Sequence, residues 1–101
     1  MQFDLHEYSE SENIPYVVIV QSSIIEIPGR QMVIPLAKNE DFSASFTKDL
    51  FPVLSFGGET YRLLTPEVSS ISERSLGAKV GTLAAYENKI KDALNFLFWG
   101  Y

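Results

Sequence analysis

Cysteine is absent from the 101 residues and histidine occurs once, at His6. Without cysteine there are no disulfides, no thiolate nucleophile and no thiolate metal ligand. One histidine leaves no usual ligand set for zinc or copper, so neither a metal nor another cofactor is expected. No apolar run approaches the roughly 18 residues a membrane helix needs, and no basic-then-apolar leader precedes the alternating pattern after Met1-Gln2-Phe3-Asp4. A cytoplasmic location and no membrane partner are expected. Basic residues are few: eight Lys and Arg against thirteen Asp and Glu give a net charge of −5. That balance argues against a broad electrostatic grip on nucleic acid, and no direct nucleic-acid binding is expected.

What is present suits one small domain over residues 1–101, with 46% hydrophobic content and no low-complexity segment. Residues 3 to 8 mix apolar and polar positions, and Tyr16-Val17-Val18-Ile19-Val20 is a β-branched run expected as a central strand paired with them. Ser9-Glu10-Ser11-Glu12-Asn13 reads as a surface loop closed by Pro15, and Pro28-Gly29 as a tight turn. Met32-Val33-Ile34-Pro35-Leu36 is expected as a strand whose proline puts it at an edge or a bulge. Gly57-Gly58, between Val53-Leu54-Ser55-Phe56 and Glu59-Thr60-Tyr61-Arg62-Leu63-Leu64, is the strongest hairpin signal.

A further strand is expected near residues 68 to 75, with Gly77 and Gly81 as breakers before the only long helix. Residues 38 to 49 are ambiguous, with Phe42 and Phe46 spaced as in a short helical turn.

The helix is expected over residues 82 to 99, with Thr82 as N-cap, Glu87 and Lys91 as an i,i+4 pair and Gly100 as its stop. At 100° per residue, Leu83, Ile90, Leu94 and Leu97, flanked by Tyr86 and Ala93, form a core-facing stripe. The opposite stripe holds Asn88, Asp92, Asn95 and Trp99, bordered by Phe96 and Phe98. The only tryptophan therefore shares a face with groups that prefer water, and is expected to be exposed for a partner. A tryptophan folded back over its own barrel, or set in a dimer seam, fits the same projection.

Catalytic signals are thin. His6 lies on an expected strand with Asp4 on the same face, a common pairing. Ser22-Ser23 and Ser69-Ser70 have no nucleophile motif around them, and Glu10/Glu12 and Glu40/Asp41 lie in polar stretches. Neither Pro28-Gly29-Arg30 nor Gly57-Gly58 has the strand, glycine loop and helix order of a phosphate cradle.

Met1-Gln2-Phe3, Val20-Gln21-Ser22 with Ile24-Ile25, Pro28-Gly29-Arg30, Met32 to Ala37, Glu87-Asn88 with Ile90-Lys91, and Phe98-Trp99-Gly100 resemble the CcdB toxins over the whole chain. The resemblance implies a mainly β fold, an SH3-like small barrel of antiparallel strands with one C-terminal helix. It implies a homodimeric toxin of a toxin–antitoxin module that binds the A subunit of DNA gyrase and traps the cleaved-DNA complex, with no chemistry of its own. It further implies a cognate CcdA-like antitoxin, whose tail meets the loop from Tyr8 to Pro15 or residues 41 to 50, and repression of the module's own operon.

The family's gyrase-contact positions correspond to Ile24, Ile25, Asn95, Phe98, Trp99 and Gly100, with Tyr101 a departure at the last contact. For Ile24 and Ile25, ordinary core packing is the competing expectation. Because Ser9-Glu10-Ser11-Glu12 is acidic, an antitoxin of different charge is expected. Two other readings stand beside this one. An endoribonuclease of the same architecture would have to use Arg30, Arg62, Arg74 and His6, and a non-toxic domain would keep only antitoxin binding.

Overall fold

The computed structural model describes residues 1–41 and 48–101. The Phe42 and Phe46 pair therefore lies outside the described residues. Among the described residues, seven strands form one antiparallel sheet: β1 (Asp4–Tyr8), β2 (Tyr16–Ile19), β3 (Arg30–Lys38), β4 (Val53–Phe56), β5 (Glu59–Leu63), β6 (Ser69–Ser72) and β7 (Leu76–Thr82). The spatial order is β4-β5-β3-β2-β1-β7, with β6 also paired to β3. The sheet curls into a half-barrel, and one helix, α1 (Glu87–Trp99), completes the fold.

The β-branched run of β2 is central as expected. Val17, Val18 and Ile19 are all buried, because β1 and β3 flank the strand and both its faces are covered. Val18 joins Leu5, Ile34, Leu36, Leu54 and Leu63 inside the curl, where Leu83, Ile90 and Ala93 close the core. Val17, Ile19 and Val33 point the other way, into a smaller cluster beneath Tyr8, Ile14, Ile71 and Leu76. Each large side chain buried this completely contributes about 1.5–3 kcal/mol.

β4 and β5 form the expected hairpin. Phe56 pairs with Glu59 across Gly57-Gly58, whose φ values of 60° and 82° are what a two-residue turn of matching twist requires. The Pro28-Gly29 turn is closed by the Arg30 N–H donating to the Ile27 carbonyl at 3.2 Å.

Other expectations need correction. β3 is not an edge strand, since it pairs with β2 on one side and with β6 and then β5 on the other. Pro35 sits where β6 has ended at Val33 and β5 begins at Leu36, and its carbonyl accepts from Leu64 N–H there. Its missing N–H falls at that same junction, where no ladder bond is lost. The strand expected over residues 68 to 75 is shorter, ending at Ser72 before a 3-10 turn at Glu73–Ser75.

Gly77 and Gly81 do not break the chain before the helix but lie within β7, at places where another element comes too close for a side chain. A Cβ on Gly77 would stand 3.0 Å from the Glu7 backbone oxygen, and one on Gly81 would stand 2.5 Å from the Phe56 ring. Thr82 ends β7, and its hydroxyl accepts from Ala84 N–H at 3.1 Å where a 3-10 turn at Ala84–Tyr86 begins. The helix proper starts only at Glu87. The extended backbone lasts to Thr82 because Thr82 pairs with Asp4, and Leu83 N–H donates to Phe3 O at 2.8 Å. Phe3 lies outside β1, buried and with φ of 70°.

Candidate interaction surface

α1 buries Ile90 and Ala93 completely and half-buries Leu94, while the Tyr86 hydroxyl accepts from Ser55 N–H at 3.1 Å and ties the helix start to β4. Leu97, expected on the same stripe, is only half-buried. Lys91 and Glu87 are 2.6 Å apart, a surface pair worth about 0.3–0.5 kcal/mol.

Past the end of the core the helix presents aromatics to solvent. Trp99 is 65% exposed and Phe98 60%, with their ring centroids 5.7 Å apart and tilted by 59°. Asn95 is exposed one turn earlier. Gly100 stops the helix in the left-handed region, at φ 78°, and its N–H donates to Phe96 O at 2.9 Å. Tyr101 follows, exposed. Backbone capping and a buried helix face thus hold two large aromatic side chains in water.

Ile24 and Ile25 do not pack in the core. They lie exposed in the loop between β2 and β3, at 88% and 52%, with Ile27 beside them. Ile25 borders a cleft of about 500 Å³ whose walls include Met1, Gln2, Gln21, Ile27 and Glu73, and among the described residues none of α1 lines it. The seven site residues expected from sequence come from two segments of the chain: the helix end, with Asn95, Phe98, Trp99, Gly100 and Tyr101, and the loop, with Ile24 and Ile25.

His6, Arg30 and Arg62 are held in structural contacts. His6 Nδ1 lies 3.0 Å from the Gly77 carbonyl oxygen across β1 and β7. Arg30 donates to the Ser70 hydroxyl at 2.7 Å and to its carbonyl at 2.8 Å, and Arg62 donates to Asn39 Oδ1 and Phe51 O, both at 2.8 Å. In the sheet order β3 and β2 lie between Arg62 on β5 and His6 on β1. No cluster of three metal-capable side chains occurs among the described residues.

Among the described residues, Asp4 and Tyr61 are displaced from their ordinary range. Burial tends to raise the Asp4 carboxyl, but the N-terminal ammonium at 3.0 Å and Lys79 at 3.4 Å outweigh it and hold it low. Burial, with the neighbouring Tyr16 and the Glu59 carboxylate, pushes the Tyr61 hydroxyl up to about 12.

Among the described residues a small curled sheet and one helix leave an apolar helix tip exposed to solvent. A model of the CcdB protein family matches residues 2–100, and the chain belongs to that family, whose members are toxins of toxin–antitoxin modules.

The sequence reading missed Gln21, Ile27 and Met1. Gln21 is buried with both ends of its amide hydrogen-bonded, and a glutamine after an apolar strand carries no signal of that in sequence.

Proposed function

We propose that this protein is a gyrase poison: it binds the A subunit of DNA gyrase through the end of α1 and traps the covalent cleaved-DNA complex. The observation that carries this reading is the solvent-exposed Phe98–Trp99 pair on a capped helix terminus. Burying a tryptophan removes about 150–250 Å² from water. At about 25 cal/mol/Å² that gives an upper bound of roughly 4–6 kcal/mol, reduced here by the part of Trp99 already covered. An arginine of the partner stacked on the indole adds about 1–2 kcal/mol once desolvated.

In this reading Asn95 supplies amide hydrogen bonds beside the rings, and Gly100 lets the partner approach the helix end. Tyr101 sets the shape of the last contact, and Ile24 and Ile25 extend the apolar area. A homodimer would present each surface twice. A cognate CcdA-like antitoxin neutralises the toxin and, with it, represses the operon. The loop around Glu10 and Glu12 calls for an antitoxin whose charge complements those carboxylates.

Calorimetric titration with the purified gyrase A subunit tests the contact. Trp99→Ala is expected to weaken binding at least about tenfold. Equal affinity for the wild type and the variant would remove the helix end from the interface.

A further inference from the structure

The loop between β2 and β3 keeps three isoleucines in water, and each forgoes part of the roughly 1.5–3 kcal/mol that burial of such a side chain contributes. Ile25 and Ile27 border the cleft beside the loop, and Ile24 stands away from it. This loop is braced from inside.

Gln21 is 9% exposed, and both ends of its amide are engaged. Its Nε2–H donates to Ile25 O at 2.7 Å, and its Oε1 accepts from Met32 N–H at 3.1 Å. Because one partner is a carbonyl and the other an N–H, only an amide in this orientation satisfies both. A second brace comes from the N-terminal segment. Gln2 N–H donates to Ser23 Oγ at 3.0 Å, and Gln2 Nε2–H donates to Val20 O at 3.0 Å. Within the loop, Ile25 N–H donates to Ser22 O at 3.0 Å. The backbone on both sides of Ile24 is thereby fixed while its side chain is 88% exposed.

We propose that Gln21 is a positioning residue for the loop's contact surface. Its amide holds Ile24 and Ile25 outward, so the cost of ordering the loop is met on folding and not on binding. This rests on the reading that Ile24 and Ile25 meet the gyrase A subunit.

Gln21→Met keeps the length of the side chain and removes both bonds. Gln21→Glu keeps the Met32 bond but sets a carboxylate oxygen against the Ile25 carbonyl. The experiment measures A-subunit affinity well below the melting temperature for the full-length wild type and both variants, together with amide hydrogen exchange at Ile25 and Met32.

Both variants are expected to bind about 5- to 30-fold more weakly, with unchanged far-ultraviolet circular dichroism and faster exchange at Ile25. Faster exchange at Met32 is expected only in Gln21→Met. If Gln21→Met does not fold, Gln21→Glu carries the same test. A folded variant that binds within about twofold of the wild type overturns the proposal, since a purely structural role would lower the melting temperature alone. A folded wild type that does not bind the A subunit overturns the gyrase reading. Hydrogen exchange then decides the brace by itself: faster exchange at Ile25 supports it, and unchanged exchange overturns it.

Discussion

Phe56 and Gly81 come from the two ends of the sheet, β4 and β7, and meet so closely that a Cβ on Gly81 would stand 2.5 Å from the ring's Cε1. Side-chain packing thus closes the curl where no ladder of hydrogen bonds joins these strands. The ring has little room to retreat, because Tyr16 meets it edge-on at 5.7 Å and Tyr61 meets Tyr16 in the same way at 5.6 Å.

Gly81→Ala is therefore expected to destabilise the protein by about 1–3 kcal/mol through overpacking. Urea denaturation measures the loss. Phe56→Leu in the same chain should recover part of it, which a double-mutant cycle would show as a favourable coupling. Additive effects would mean that the two residues do not compete for space.

Tyr61 makes stability depend on alkaline pH. Its hydroxyl ionises near 12 in the folded protein and near 10 in an unfolded chain, so the unfolded state releases its proton first. The contribution of the neutral, buried tyrosine is complete below pH 10. It is lost as pH rises through 12, by an amount on the order of 2–3 kcal/mol. Unfolding free energies measured between pH 9 and 12 should fall more steeply for the wild type than for Tyr61→Phe. Parallel curves would place the dependence on other groups.

Thr65 is fully buried in the 3-10 turn after β5, and its hydroxyl finds no hydrogen-bond partner among the described residues. Thr65→Val removes that unmatched group at similar size and is expected to stabilise the fold by about 1–2 kcal/mol. A rise in the denaturant midpoint with an unchanged slope checks it. A fall would mean that the hydroxyl is satisfied in solution.

Local backbone chemistry made much of this fold legible in the sequence. Gly57-Gly58, Pro28-Gly29 and Gly100 each mark a turn or cap that depends on neighbouring residues alone, and the apolar run of β2 announces burial on both faces. Gly77 and Gly81 misled because their role is set by Glu7 and Phe56, which are distant in the chain. Thr82 misled because pairing with Asp4 extends a backbone that would otherwise enter the helix. Pro35 misled because the exchange of β6 for β5 beside it is invisible locally.

At the candidate surface, the exposure of Trp99 followed from helical phase. For Ile24 and Ile25 the sequence was evenly balanced between core and surface, because their loop has no period. Its bracing by Gln21 depends on a contact eleven residues away with Met32.

The central claim is tested most directly by incubating the protein with active gyrase, ATP and supercoiled DNA, then denaturing and digesting the enzyme and measuring linear DNA. The account predicts linear DNA with the wild type and a loss of at least about tenfold with Trp99→Ala. Absence of linear DNA with the folded wild type, using gyrase from the source organism shown to be active, would contradict it.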